Sequence, residues 1–311
     1  MRYFVHGLLG FWVVCCASPC NADLFATLAR DGMLLRIDTN TGDVLRHYSS
    51  PPDPDFTSSP AGVAYDGDLV YVGRSTPDGL ARVWPFDPVE KDWLPSLELD
   101  PITVHGGTIA RLDGMGVYTD GDGLRHLLAV SRSPQEIPTS TFFDYDLSLA
   151  PGMLHWSAAP VELPIDFVAL GMDVDPATGE IWVSGGLTPS VLGNPALIRV
   201  DPFGAEIDRL LLPELAGATL RGLAFDDGRM FVGIRNAVAS ANQIVEVDRN
   251  SGEILNTFTL PSEFEGILTG LTGGAVVPEP ATWAIAFTAI AGLWVRASSV
   301  RSRTVTARRS S

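Results

Sequence analysis

Residues 62–73 read G-V-A-Y-D-G-D-L-V-Y-V-G, and the reading of this stretch decides the fold. Apolar residues alternate into a Gly/Asp turn and out again, the pattern of a two-stranded hairpin with one buried face. The phrase returns at residues 222–233 as G-L-A-F-D-D-G-R-M-F-V-G, and with an insertion at 171–185 as G-M-D-V-D-P-A-T-G-E-I-W-V-S-G. A looser copy spans residues 116–131, and residues 270–277 supply the first half of a fifth. A repeated hairpin is therefore the unit of the chain, and such units bury their apolar faces only by stacking on one another.

A second kind of hairpin alternates with the first. Leu34-Leu35-Arg36-Ile37-Asp38 runs into the polar turn 39–43 and leaves through Val44-Leu45-Arg46. Related strands close on Asp87, Asp146, Asp201 and Asp248, so the five aspartates are spaced by 49, 59, 55 and 47 residues. A period near 50 residues that holds four short strands is the spacing of a β-propeller blade. The expectation is an all-β propeller of five blades over residues 23–277, with six blades as the alternative if the long second or third unit splits. Residues 25–28 have the character of the strand that the fifth unit lacks. The N-terminal strand is thus expected to close the ring against the last blade, leaving no open edge to recruit other chains.

The ends of the chain read differently. Cys15, Cys16 and Cys20 are its three cysteines, and all lie within the first 22 residues, where Arg2 precedes the apolar run 8–16 and small residues lead to Ala22. This is the layout of a secretory signal peptide, residues 1–22, cut after Ala22. The mature chain would then hold no disulfide, no thiolate metal site and no thiol nucleophile. Residues 23–277 carry fifteen basic against thirty-six acidic side chains. A nucleic-acid partner, which needs a basic face, is excluded by that balance, which suits cations or simple solubility.

The turns 38–43, 175–180 and 248–253, of the type Asp-x-x-Thr-Gly, and the hairpins of type G-L-A-x-D-x-x-x-L-Y-V-G resemble the repeats of the YVTN and quinoprotein-like propeller families. The resemblance covers most of residues 23–277 and implies the fold. Quinoproteins also place a tryptophan after the Gly turn of each repeat; here Trp182 alone sits comparably, so no quinone site is implied.

From residue 278 the text changes again. Pro278-Glu279-Pro280 is followed by the uncharged run 281–295 and then by Arg296, Arg301 and Arg303. The combination closely resembles the PEP-CTERM sorting signal, with 278–280 as the motif, 281–300 as a transmembrane helix and 301–311 as the basic end. That resemblance implies an exosortase-type processing enzyme as a partner and an exported protein, held in the inner membrane by its C-terminal helix before processing and in the cell envelope or outside afterwards. Physical chemistry agrees in part. The fifteen-residue run falls short of the roughly 20 residues of a spanning helix, but residues 297–300 extend it, and the arginines behind it should stay cytoplasmic.

Candidate chemistry is sparse. Asp120-Gly121-Asp122-Gly123 has the spacing that wraps a calcium ion with alternating oxygen ligands, making Asp120 and Asp122 the candidate metal residues, although the later bidentate Glu of a full loop is missing. The same text also reads as a plain Gly-rich turn. Asp38, Asn40 and Asp43 admit the same two readings. His47, His105, His126 and His155 are far apart in sequence and read as surface or turn residues, while Trp84, Trp93, Trp156 and Trp182 are expected between blades. No G-x-S-x-G, H-E-x-x-H or phosphate-cradling motif occurs. The sequence therefore points to an exported binding or structural module, with envelope polysaccharide or protein as its partner. The alternative is a metal-dependent, lactonase-like hydrolase or lyase that holds a cation at the propeller channel.

Overall fold

The computed structural model describes residues 23–274 apart from 30–31, 54–55, 57–60, 76–80, 101–102, 105–106, 109–111, 133–139, 149–151, 189–190, 192–193, 237–240 and 265. Residues 1–22, read as a signal peptide, residues 278–311, read as a sorting tail with Pro278, Glu279, Pro280, Arg296, Arg301 and Arg303, and His105 lie outside these residues. Among the described residues no helix is long and apolar enough to cross a membrane.

Five antiparallel sheets make five blades, not six. Blade one is closed by both ends of the described chain: its inner strand is Leu268–Gly274, followed outward by Asp23–Leu28, Leu34–Asp38 and Val44–Tyr48. Phe25 pairs with Thr272 and Leu24 with Gly273, which is the expected closure of the ring by the N-terminal strand. Blade two runs Gly62–Tyr65, Val70–Ser75, Ala81–Asp87 and Leu97–Leu99. Met153–Leu154 adds to its outer edge in parallel. Blade three runs Gly114–Thr119, Arg125–Arg132, Ser140–Asp146 and Val161–Glu162. Blade four runs Phe167–Val174, Ile181–Leu187, Pro195–Val200 and Glu206–Leu211, and blade five Ala218–Asp226, Arg229–Asn236, Asn242–Val247 and Ile254–Thr259.

Alternation along each strand sends successive side chains to opposite faces of the blade, and here both faces meet a neighbouring blade. Leu24 and Ala26 accordingly pack with Ala224 and Phe231 of blade five, while Phe25 between them packs with Val63 and Val72 of blade two. Five buried clusters fill the five seams. Trp84 and Trp182 are buried, whereas Trp156 is exposed and does not pack between blades as expected. Its backbone instead bridges Tyr145 at the rim of blade three.

The inner strands are held at backbone contact by a ring of glycines, one per blade: Gly62, Gly114, Gly171, Gly222 and Gly270. A β-carbon on Gly114 would lie 2.5 Å from the Gly171 carbonyl carbon, and one on Gly171 2.7 Å from Gly222 Cα. The remaining seams are similar: 2.9 Å from Gly222 to the Gly270 carbonyl carbon, 3.1 Å from Gly270 to Val63 N and 3.3 Å from Gly62 to the Gly114 carbonyl carbon. The reading of blade three from Gly116 is corrected by this ring. Gly114 is the equivalent of Gly62, two residues earlier.

Candidate functional site

All five inner strands run toward the same face, and the two kinds of hairpin that the sequence repeats, first to second strand and third to fourth, turn there. Eight of these turns open on an aspartate whose carboxylate accepts backbone N–H groups two to four residues on. Examples are Asp38 (from Asn40 N, 2.7 Å), Asp87 (Val89 N, 2.8 Å), Asp201 (Phe203 N, 2.9 Å) and Asp248 (Ser251 N, 2.8 Å). This is the Asx turn, in which the side chain replaces a missing backbone acceptor and glycine takes a left-handed angle, as Gly42 (φ 76°) and Gly252 (φ 77°) do.

Asp120 is one of the eight. Its carboxylate accepts from Asp122 N at 2.9 Å and Leu124 N at 2.8 Å, and the Leu124 bond foremost holds its pKa below the ordinary carboxylate value. Its second oxygen lies 3.4 Å from His126 Nε2, and His126 Nδ1 lies 2.9 Å from Asp144. His126 is thus a largely buried side chain between two carboxylates beside the turn, so of the two readings its isolation in sequence allowed, surface or turn, the second fits. Among the described residues no three His, Cys, Asp or Glu side chains are grouped to hold a metal ion.

At the centre of this face the inner strands enclose a cavity of about 580 Å³ lined by residues of all five blades. Position relative to the glycine ring orders the residues of the channel. Two residues beyond the ring stand Ala64, Gly116, Asp173, Ala224 and Thr272, of which Asp173 lines the cavity, and four residues beyond it Asp66, Tyr118, Asp175, Asp226 and Gly274, of which the first four do. Tyr65, Thr119 and the turn residue Asp227 complete the rim. Among the described residues no lysine or arginine lines it.

Asp173 is the one charged residue of the inner layer, and it reaches across the axis. It accepts from Phe225 N of blade five at 3.1 Å, Gly273 N of blade one at 3.3 Å and the Thr272 hydroxyl at 3.4 Å. Burial dominates those favourable bonds and pushes its pKa up to about 8.

The outer layer holds three aspartates with two different environments. Asp66 accepts from the Tyr71 hydroxyl at 2.8 Å and from Arg125 of the next blade at 2.7 Å. Asp175 accepts from Arg249 of the next blade at 2.9 Å, besides its own turn. At Asp226 the next blade offers Thr39, whose hydroxyl bonds one oxygen, while the buried Oδ2 has no hydrogen-bond partner. The residue is 6% exposed, and burial raises its pKa to about 6. Its turn is also different. Asp226 and Arg229 are paired across a two-residue loop in which Asp227 (φ 47°) and Gly228 (φ 74°) are both left-handed, so no Asx bond is needed.

The sequence singled out none of Asp173, Asp226 and Asp227. The usable signal was their offset from the repeating glycine, since Asp173 breaks a layer otherwise made of Ala, Gly and Thr.

No family model matches the chain, and no curated protein matches it. Among solved structures it is similar to a protein of unknown function from Bacteroides caccae (TM-score 0.41, 11% identity, 81% of this chain and 98% of that one). It is also similar to a periplasmic gluconolactonase of Pseudomonas aeruginosa (TM-score 0.40, 16% identity, 79% and 70%). A xylan β-1,4-xylosidase from Bacillus halodurans is a third (TM-score 0.43, 13% identity, 68% of this chain), and this chain spans 44% of its length. Likenesses this distant carry no inference about what this chain does.

Proposed function

We propose that this protein is an exported β-propeller that acts as a binding module of the cell envelope, with the cavity at the mouth of its channel as the binding site. The observation that carries the reading is the contrast within one acidic face. Eight of its nine hairpin turns consume their aspartate in their own backbone, whereas the central cavity keeps carboxyl groups that no turn requires. A concave site of a few hundred Å³ with a few convergent polar groups is the usual form of a ligand site. Delivery is assigned to the leader and to the PEP-CTERM-like tail, processed by an exosortase-type enzyme.

Two measurements test this. A chain lacking residues 278–311 is expected in the soluble exported fraction; its retention in the membrane would place the anchor elsewhere. The full chain is expected to cosediment with isolated envelope polysaccharide and protein, and Thr119→Tyr, which fills the cavity mouth, to abolish that. Unchanged cosedimentation would refute the cavity as the site.

One observation favours the second reading, a hydrolase or lyase. Asp173 and Asp226 both hold protons to higher pH than ordinary carboxyls and lie at one cavity, which suits general acid–base chemistry. Calcium is the cation considered for that reaction, and Asp120 and Asp122 remain the sequence's candidates to bind it. A chelator-sensitive turnover of lactones or glycosides that is lost in Asp226→Asn would establish this reading over the first.

A further inference from the structure

The three aspartates four residues beyond the glycine ring occupy equivalent positions, and the fold answers two of them with the same group, a guanidinium, brought from different places in the following blade. Asp66, with no side-chain exposure, meets the guanidinium of Arg125, and Asp175, likewise unexposed, meets that of Arg249. In each case the arginine comes from the following blade. At Asp226, among the described residues, the following blade supplies the Thr39 hydroxyl and the like charge of Asp23 but no guanidinium, and Oδ2 is left buried without a hydrogen-bond partner. The nearest arginine in sequence, Arg229, bonds Glu246 (2.7 Å) and the Thr39 carbonyl (3.2 Å); its charge favours the ionised Asp226, but it makes no bond to that carboxyl. A buried carboxylate oxygen without a partner is costly, and its counterparts show what completes the site.

We propose that the channel mouth binds a guanidinium-bearing ligand, of the kind an arginine side chain presents, which takes at Asp226 the place that Arg125 and Arg249 take at Asp66 and Asp175. The cavity has the matching chemistry: Asp227 is exposed beside Asp226, the rings of Tyr65 and Tyr118 stand at the rim, and among the described residues no basic side chain lines the wall to compete. A planar cation stacks on such rings while it donates to a carboxylate. Because Oδ2 is covered, contact requires the Asp226 carboxyl to turn about its Cβ–Cγ bond toward the cavity, with Asp227 supplying the first encounter. The proposal deepens the binding-module reading and rests on it.

The test is calorimetric titration of the purified full-length chain with ethylguanidinium, and with the neutral isostere ethylurea, at pH 7.5 and low salt. Saturable one-site binding of ethylguanidinium and none of ethylurea is expected. Asp226→Asn should weaken it at least tenfold, and Glu214→Gln, which removes an exposed charge elsewhere, should leave it unchanged. Asp227→Asn keeps a residue that tolerates the left-handed angle and so should fold; a severalfold loss is expected from it. At pH 5 the affinity should fall, since Asp226 then takes up a proton. Binding of ethylurea as tight as that of ethylguanidinium, indifference to both aspartate substitutions, or tighter binding of ethylammonium or calcium at this site would each overturn the proposal. If ethylguanidinium does not bind, yet the two substitutions still abolish cosedimentation with envelope material, the ligand chemistry is wrong and the binding module stands. If cosedimentation also survives them, both fall.

Discussion

Replacing Asp173 by asparagine should make the protein more stable at neutral pH and should flatten its stability against pH. The carboxyl is buried on the propeller axis, and its pKa rises from the ordinary 3.8 to about 8 on folding. Folding therefore takes up a proton at any pH between these values. The folded state binds more protons than the unfolded one there, so the contribution of this group to stability is complete below about pH 4. It is lost progressively as the pH rises to about 8. Each pH unit in that window costs about 1.4 kcal/mol, which amounts to about 4 kcal/mol at pH 7.

Asparagine fits the same bonds. Its carbonyl oxygen accepts from Phe225 N and Gly273 N as Oδ2 does, and its amide donates to the Thr272 oxygen, whose hydroxyl reverses its role. Burying the amide has its own cost, so the expected gain at pH 7 is about 2 kcal/mol or more, while at pH 4 the two proteins should be nearly equal. Urea unfolding of both full-length chains at half-unit steps from pH 4.5 to 8.5 measures the difference directly. A stability difference that grows with pH supports the argument. Parallel profiles, or a variant that is less stable at pH 8, would show that the carboxyl is ionised in the folded protein and that its three bonds outweigh burial.

Three further substitutions probe the scaffold. Gly114→Ala forces a β-carbon to 2.5 Å from the Gly171 carbonyl carbon and should cost about 3 kcal/mol by thermal unfolding, whereas Gly121→Ala, with nothing within 4 Å, should be close to neutral. Arg249→Ala strips Asp175 and Glu180 of the guanidinium they share and should cost about 3 kcal/mol in urea, with lysine restoring only part because it cannot serve both carboxylates. Trp84→Phe removes the donor to Asp53 Oδ2, 2.9 Å away, and should lower stability by about 2 kcal/mol; an unchanged urea midpoint would show that this bond contributes nothing.

How far the fold was legible follows from which residues the backbone itself demands. The Asp-to-Gly turns announced the period because each needs an acceptor for its own N–H groups and a residue free to adopt a positive φ, as at Asp248 and Gly252. The closing strand was legible because residues 25–28 had no partner nearby and the fifth unit lacked one. Blade three was misaligned for an equally physical reason. Gly114 and Gly116 are two apart and so share a face, and only contact with Gly171 of the next blade selects between them. The irregular edge of blade two, where Met153–Leu154 pairs in parallel with residues 98–99, joins segments more than fifty residues apart and leaves no local pattern. Asp226 was hidden more deeply. In sequence it repeats Asp66, G-L-A-F-D beside G-V-A-Y-D, and what separates the aspartates of this layer lies on other blades: Asp226 meets Thr39, which stands in its turn where Arg249 stands in the turn that faces Asp175.

That substitution gives the acidic composition a different meaning from the one net charge suggests. An excess of carboxylates could be taken as a diffuse field for cations. Here, however, the carboxylates of eight turns are occupied by backbone N–H groups, two of these are also joined by arginines, Asp66 by Arg125 and Asp175 by Arg249, and arginines answer carboxylates outside the turns as well, Arg249 at Glu180 and Arg209 at Asp166 and Glu206. Much of the negative charge is therefore a by-product of building nine tight turns on one face, and it is locally answered. A carboxyl that no turn uses and no arginine bonds stands out only against that background. In a repeat protein each position has counterparts that show what the architecture requires, so a departure from them measures what was added. By this measure the added chemistry lies at Asp173, Asp226 and Asp227, at the mouth of the channel where all five blades meet.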